Sequence, residues 1–350
     1  MSSFLKQKSH WLFPLLALIT LSLFLVDLAL GSVRIPLVDV ARVVFGGEAS
    51  RESWTDIILK FRIPNGITAV LAGMGLAMSG LLMQTLFKNP LAGPFVLGIS
   101  SGASLGVALL VLGAGWLSGM FGFFSIFQSD FGVAIAASAG AVGILLLILL
   151  LSGKVIDNIT LLIVGLMLGY LTSAVVSVLL YFSQAEEVQT FVIWTLGSFS
   201  QVTQNQLWVL TALVGIGLLI AFFLSKWLNA LLLGDSYALS LGIPVKKARV
   251  WVIVSTGLMA GSITAFCGPI AFLGIAIPHL TRALFNTSNH LVLIPAVLFV
   301  GAITALICSI IAQLPGQQST LPINAVTSLI GAPVVLWVVI RMKNLRAAFA

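Results

Sequence analysis

Ten apolar runs, each close to the length that crosses a bilayer, follow one another along the chain with short polar gaps between them. They fall near 11–31, 62–86, 94–113, 131–152, 159–182, 204–224, 249–267, 269–285, 291–313 and 325–342. A hydrocarbon core of about 30 Å takes roughly 20 helical residues to cross. The pattern therefore predicts an all-α polytopic membrane protein with about ten transmembrane helices, forming a single integral membrane domain over 1–350. The first run follows Lys6 and Lys8 and ends at Ala29-Leu30-Gly31, which resembles a leader-peptidase site. It is longer than the apolar core of about 7–15 residues in a secretory leader, so it reads as a retained first helix.

Among the gaps, Lys226–Arg249 stands apart. It is too polar, and too broken by Gly234, Gly242 and Pro244, to cross a membrane, and it holds four of the seventeen basic residues. Its middle, Leu231–Leu241, keeps helical apolar spacing around Asp235, Ser236 and Ser240. That spacing predicts a short amphipathic helix pair just beneath the membrane; the plainer alternative is an inside loop with a basic rim. In the first outside gap, Leu37, Val40, Ala41 and Val44 behind Pro36 predict a surface-lying helix. The 183–203 gap, with Glu186, Glu187 and Trp194, predicts a segment that dips back toward the interface. Small residues at four-residue spacing, Gly98, Gly102 and Gly106, then Gly165/Gly169 and Gly257/Gly261, predict helix faces that pack closely in lipid.

Composition narrows the function. Apolar residues make up 59% of the chain, charged residues 8%, and the mean hydropathy is +1.16; soluble proteins carry about 25% charged residues. The net charge of +7 comes from basic residues scattered between apolar runs, which suits orientation in a bilayer and not a nucleic-acid surface. With the N-terminus inside, twelve Lys and Arg fall on the cytoplasmic side, and the other five lie in the first outside loop. Both termini are therefore expected in the cytoplasm.

Of the ten acids, only Asp27 could lie within a span, near its outer end. Proton-driven carriers usually keep a carboxylate in the membrane as a relay, so proton coupling is disfavoured. Sodium coupling through unwound backbone carbonyls stays open. No HExxH, GxSxG or GxxxxGK[ST] motif occurs, and Ser152-Gly153-Lys154 lacks the phosphate-loop frame. Cys267 and Cys308 show no metal-type spacing, and His279 has no carboxylate near it in sequence. No catalytic residue, metal site or resident cofactor is expected, and energy for uphill transport would come from another chain.

Several segments, in order and at matching spacing, carry a resemblance. Arg62-Ile63-Pro64 opens a glycine-rich run through Ser79-Gly80 and Gln84 to Lys88-Asn89-Pro90-Leu91-Ala92-Gly93-Pro94, and Leu97-Gly98-Ile99-Ser100-Ser101-Gly102-Ala103 follows. Leu233–Gly242, Gly268-Pro269-Ile270-Ala271-Phe272-Leu273-Gly274, Ile277-Pro278-His279-Leu280-Thr281-Arg282, Leu321-Pro322 and Ile330-Gly331-Ala332-Pro333 complete the set. Together, from about residue 30 to the C-terminus, they resemble the permease subunits of type II (FecCD-type) ABC importers for iron-siderophore, haem and cobalamin.

The resemblance implies a cobalamin-importer-permease-like subunit of a cell inner membrane that pairs with a second copy around a central pathway. Two ATP-binding subunits, which would hold ATP and Mg, lie beneath, and a substrate-binding protein docks outside. It places the ATPase-coupling helices at Leu233, Gly234, Asp235, Ser236, Ala238, Leu239 and Gly242. There Asp235 would either cap the following helix or face a basic residue of the ATPase. Ala238→Arg is expected to leave the chain folded but uncoupled. The span at 159–182 would line the pathway, and Gly153–Asn158 would lie near its cytoplasmic gate. The Asn89-Pro90 turn and a helix break at Pro278-His279 are expected to fix helix ends at the inside face, with Gly98 and Gly102 as pathway architecture. The sequence departs from the family pattern at Asn65 and Gln313, where arginines are usual, and at Thr320, where an acid is usual. Docking of the binding protein is accordingly expected at Arg62, Lys60 and Arg51. The implied cargo is an iron chelate, siderophore or haem, with cobalamin as the alternative. An ion-coupled secondary carrier is the reading from another class.

Overall fold

A computed structural model describes residues 2–113, 131–152, 158–313 and 320–341. Gly153–Asp157 lies outside the described residues. Fourteen helices account for the described architecture, and no strand occurs among the described residues. Seven are long and apolar enough to cross a membrane: α1 (Ser2–Ala29), α3 (Glu52–Phe87), α5 (Gly132–Ser152), α6 (Asn158–Phe182), α8 (Gln204–Phe223), α11 (Val245–Cys267) and α13 (His290–Ala312). Three shorter apolar helices, α4 (Ile99–Val111), α12 (Leu273–Phe285) and α14 (Ile323–Arg341), occupy the remaining apolar segments. The polar gaps hold α2 (Leu37–Val44), α7 (Ala185–Leu196), α9 (Ser225–Leu232) and α10 (Asp235–Ser240).

One helix organises the others. In α3, 78% of the most apolar window is buried, against 17% in α6 and 22% in α1. α13 lies along α3, and α12, α8 and α11 pack around it, with α1 outside α13. Lipid offers no hydrophobic drive for one apolar helix to join another, so packing density must hold them, and small residues let backbones meet. A Cβ at Gly73 would overlap the Gly301 carbonyl of α13, and a Cβ at Gly80 would overlap the Gly274 carbonyl of α12. Pro278 supplies no N–H to that same Gly274 carbonyl.

The break expected at Pro278-His279 is absent, because α12 runs through Pro278 to Phe285. The turn comes earlier, at Gly268 (φ 75°) and Phe272 (φ 67°), where α11 ends and α12 begins. There Asn324 Oδ1 accepts the Ala271 N–H at 3.1 Å, which ties the turn to α14. The expected three-glycine face of α4 also divides. Gly102 and Gly106 meet Gly140 and Ala136 of α5, whereas Gly98 precedes α4 in a left-handed conformation and faces Gly165 and Gly169 of α6. Gly257 and Gly261 lie in a π-turn within α11 and face Leu145 and Ala141 of α5.

Two gaps expected on the outside are helical as well. α2 is the surface helix expected behind Pro36, with Val40 buried and Leu37 and Val44 exposed. The 183–203 gap contains α7, whose start is fixed by the Glu187 carboxylate accepting the Gln184 N–H at 3.1 Å. Asp39 closes the first outside loop by accepting from Ser50 Oγ at 2.6 Å and from Ser50 N at 3.0 Å. These donors hold its carboxyl below the usual carboxylate range.

The backbone contact at α3 makes a direct prediction. Gly80→Ala is expected to destabilise the protein by about 1–3 kcal/mol or to prevent its accumulation, the usual outcome of overpacking. Gly143→Ala, whose added Cβ would meet nothing within 4 Å, is expected to be neutral. Thermal unfolding of the two variants in detergent makes the comparison.

Candidate functional site

The end of the bundle that the charge pattern predicts to face the cytoplasm is built around α9 and α10. Gly234, at φ +116°, makes the turn between them in a conformation that side chains disfavour. Gly242, at φ +78°, closes the far end, where the Ile243 N–H reaches the Ala238 carbonyl at 3.0 Å. Ala230, Leu231, Ala238, Val245 and Ala248 form a small buried cluster, with Trp227 and Ile243 packed on it. Leu233, Ser236, Tyr237, Leu239 and Leu241 are exposed on the other side. The pair therefore has a seated apolar face and an open one whose large apolar residues nothing among the described residues covers.

Two expectations change here. Asp235 makes no cap hydrogen bond; Gly234 is the N-cap residue, and Asp235 Oδ1 instead accepts from Lys88 Nζ at 3.1 Å. Ala238 is fully buried, so Ala238→Arg would force a guanidinium into the cluster and unseat α10, which makes it a test of folding and not of coupling.

Polar groups at the inner ends of the spans hold this pair in place. Asn229 Oδ1 accepts the His290 N–H at 2.8 Å and lies 2.9 Å from His290 Nδ1, while His290 Nε2 lies 2.8 Å from Thr85 Oγ1. α9 is thus hooked to α13 and α3. His279 Nε2 donates to the Pro90 carbonyl at 2.5 Å, and Asn89 Oδ1 accepts the Leu91 N–H at 3.0 Å. The Asn89-Pro90 turn is thereby pinned to α12. Arg282 Nη1 donates to Gln84 Oε1 at 2.6 Å, and Gln84 Nε2 donates to the Ile275 carbonyl at 3.2 Å. Asn229, His290 and Thr85 were not singled out from the sequence; the signal available was a polar side chain near the inner end of an apolar run.

At the opposite end, expected to face outward, the three basic residues part company. Arg62 is buried: Nη1 donates to the Leu28 carbonyl at 2.6 Å and Nη2 to the Val33 carbonyl. It closes the end of α1, and its charge is not presented to a partner as expected. Lys60 is exposed and paired with Asp56 at 2.9 Å, and the exposed Arg51 guanidinium lies 4.9 Å from the Trp54 ring centroid. Arg62 lines one cavity together with Asn65, Gln313 and Thr320, three of the positions at which the sequence departs from the pattern it resembles. Gln313 Nε2 donates to Asp27 Oδ1 at 2.9 Å, so the acid of α1 is also held internally. Among the described residues, no group of three or more His, Cys, Asp and Glu could hold a metal ion.

The model of the FecCD transport family matches residues 17–341. The vitamin B12 import system permease protein BtuC of Klebsiella pneumoniae subsp. pneumoniae is 35% identical over 340 residues, covering 97% of this chain and 96% of that protein. Its counterpart in Citrobacter koseri is 36% identical over 288 residues, covering 82% and 84%. A solved structure of a metal-chelate type ABC transporter in an inward-facing conformation superposes with a TM-score of 0.81 at 29% identity, over 94% of this chain and 99% of that one. PsaBC from Streptococcus pneumoniae, at 18% identity and a TM-score of 0.54, shares the fold.

The internal role of Arg62 predicts a loss of stability on truncation. Arg62→Ala removes both carbonyl contacts and is expected to cost about 1–3 kcal/mol, the usual price of stranding buried polar groups. Lys60→Ala, at an exposed pair, is expected to change stability by less than about 1 kcal/mol. Thermal unfolding of both variants in detergent checks the pair.

Proposed function

The chain belongs to the FecCD transport family and is a permease subunit of an ABC importer, and from that premise we propose how it works and what it carries. It dimerises and works with an ATPase and a binding protein. Our reading is a homodimer with two ATP-binding subunits beneath it, in a cell inner membrane, with both termini cytoplasmic. This chain binds no cofactor of its own; ATP and Mg belong to the partner.

The observation that carries the reading is the two-sided α9–α10 pair. One side is seated on the body of the permease, and the other presents Leu233, Tyr237, Leu239 and Leu241 toward the inner face. Exposed apolar clusters of this kind mark contact surfaces. Conformational change in the permease requires contacts that differ between states, and this surface is where an ATPase would make them. α6 supports the proposed pairing: little of it is buried within one chain, and Met167, Tyr170, Leu171 and Val178 are exposed along it. These residues are available to a second copy and to the pathway. On the outer side, we propose that the exposed Arg51 and Lys60 contribute to binding-protein docking, where charge sets encounter rate and register more than affinity.

The cargo we propose is a bulky metal chelate, with a ferric siderophore or haem as the first reading. Cobalamin, also a metal chelate, is the second, and it is favoured by the similarity to vitamin B12 permeases. A pathway with few fixed charges suits such cargo.

Proteoliposomes containing the permease and its ATPase test the proposal, with ferric ferrichrome, haem and cyanocobalamin as separate probes delivered by the binding protein. Uptake is expected only with ATP, for one probe class, and unaffected by collapsing ion gradients. Uptake without nucleotide that vanishes with the gradient would establish an ion-coupled carrier instead.

A further inference from the structure

We infer that the Lys88–Asp235 ion pair is the strut through which α10 moves the central helix α3. The inference rests on the reading of α10 as the ATPase-facing element. Three observations on separate parts of the molecule converge on it.

The first is backbone conformation. α3 ends at Lys88, which adopts φ 47° and ψ 34°. Left-handed helix ends are ordinarily glycine or asparagine, and a lysine there is disfavoured. Among the described residues only Phe272 and Asn286 share a positive φ without being glycine. A disfavoured conformation held by its surroundings is grounds for asking what it positions. Here it directs Lys88 Nζ to Asp235, where it lies 3.1 Å from Oδ1.

The second is the acid. Asp235 opens α10 yet caps nothing, so its carboxylate is free to serve as the other end of the strut. Gly234 brings it close: a Cβ built there would lie 4.0 Å from Lys88 Nζ.

The third is the pattern of contacts. α10 packs on α9 and α11, its neighbours in sequence; α9 in turn packs on α3, and the ion pair ties α10 to the end of α3 directly. Both side chains are more than a third exposed, at 38% and 36%, so the pair adds little to stability. Its location is more informative than its strength. α3 passes through a π-turn at Ile58–Arg62 and then runs as α-helix from Ile63 to Phe87, with Arg62 and Asn65 of the outer cavity near the start of that stretch and the strut at its end. A displacement imposed on α10 therefore has a direct route to the helix on which α12 and α13 pack. Lys88 and Asp235 are positioning residues in this scheme; they touch neither cargo nor nucleotide.

The test uses the full permease with its ATPase in proteoliposomes, measuring uptake of ferric ferrichrome, haem or cyanocobalamin, each delivered by the binding protein, and ATP hydrolysis in the same preparation. Lys88→Glu and Asp235→Lys are each expected to lower uptake per ATP hydrolysed by about 3- to 5-fold, the scale of a half-exposed pair, with unchanged thermal unfolding in detergent. The double variant, which restores the pair in reverse, is expected to recover to within about 2-fold of the parent, and Lys88→Arg to couple normally. Single variants that couple normally, or a double variant as poor as either single, would overturn the strut. Leu239→Asp provides the separate control on the underlying reading. If it couples normally, the assignment of α10 to the ATPase fails, whatever the charge variants do.

Discussion

The close approach of backbones around α3 is the constraint on which the rest depends. In lipid, side-chain burial gains little, so the bundle relies on contact density, which α3 reaches where Gly73 meets Gly301 and Gly80 meets Gly274. These contacts set how far α12 and α13 stand from α3, and so where the inner ends of all three helices emerge. The polar network at that end follows from their positions. Arg282 reaches Gln84 from α12, His290 reaches Thr85 from α13, and His279 reaches the Pro90 carbonyl just beyond α3. Because buried polar groups must find partners, each of these bonds fixes a helix end against its neighbour.

The same constraint gives the permease its mechanical character. A close-packed element moves as a body, and α3 extends from the outer cavity to the turn above α10. At the outer end the buried charge is turned inward: Arg62 holds carbonyls of the α1 end, and Asp27 accepts from Gln313. At the inner end the polar network fixes the spans, while α10 itself is held more lightly, by a half-exposed ion pair and a small apolar seat. The lightly held element is thus the one on which a partner would act. Such a partner is what an ABC importer permease works with.

Much of this was legible in the sequence because apolar runs of membrane-crossing length leave few alternatives. The ten runs, the surface helix behind Pro36 and the broken amphipathic segment at Leu231–Leu241 could each be read from hydrophobic spacing. Side-chain direction could not. Arg62 looked available because a charge at the end of an apolar run is usually solvated, but the carbonyls of Leu28 and Val33, some thirty positions earlier, claim it. Asp235 looked like a cap because acids often open helices, yet Gly234 takes the cap position and Lys88, from a different span, takes the carboxylate. Pro278 looked like a break, although α12 absorbs it and the chain turns at Phe272. Each miss turns on a partner distant in sequence, which local spacing does not encode. The convergence of Asn65, Gln313 and Thr320 on one cavity belongs to the same class: the substitutions were visible, but not their adjacency.

The central claim is that α10 offers its exposed face to the ATPase while its buried face holds it to the permease. Thiol cross-linking tests this most directly, because both native cysteines, Cys267 and Cys308, are buried. In the assembled complex, Leu239→Cys should cross-link to the ATPase subunit, with a yield that changes when nucleotide is added, while Ala238→Cys, one position away, should not. Equal labelling at both positions, or cross-linking at Ala238→Cys alone, would contradict the account.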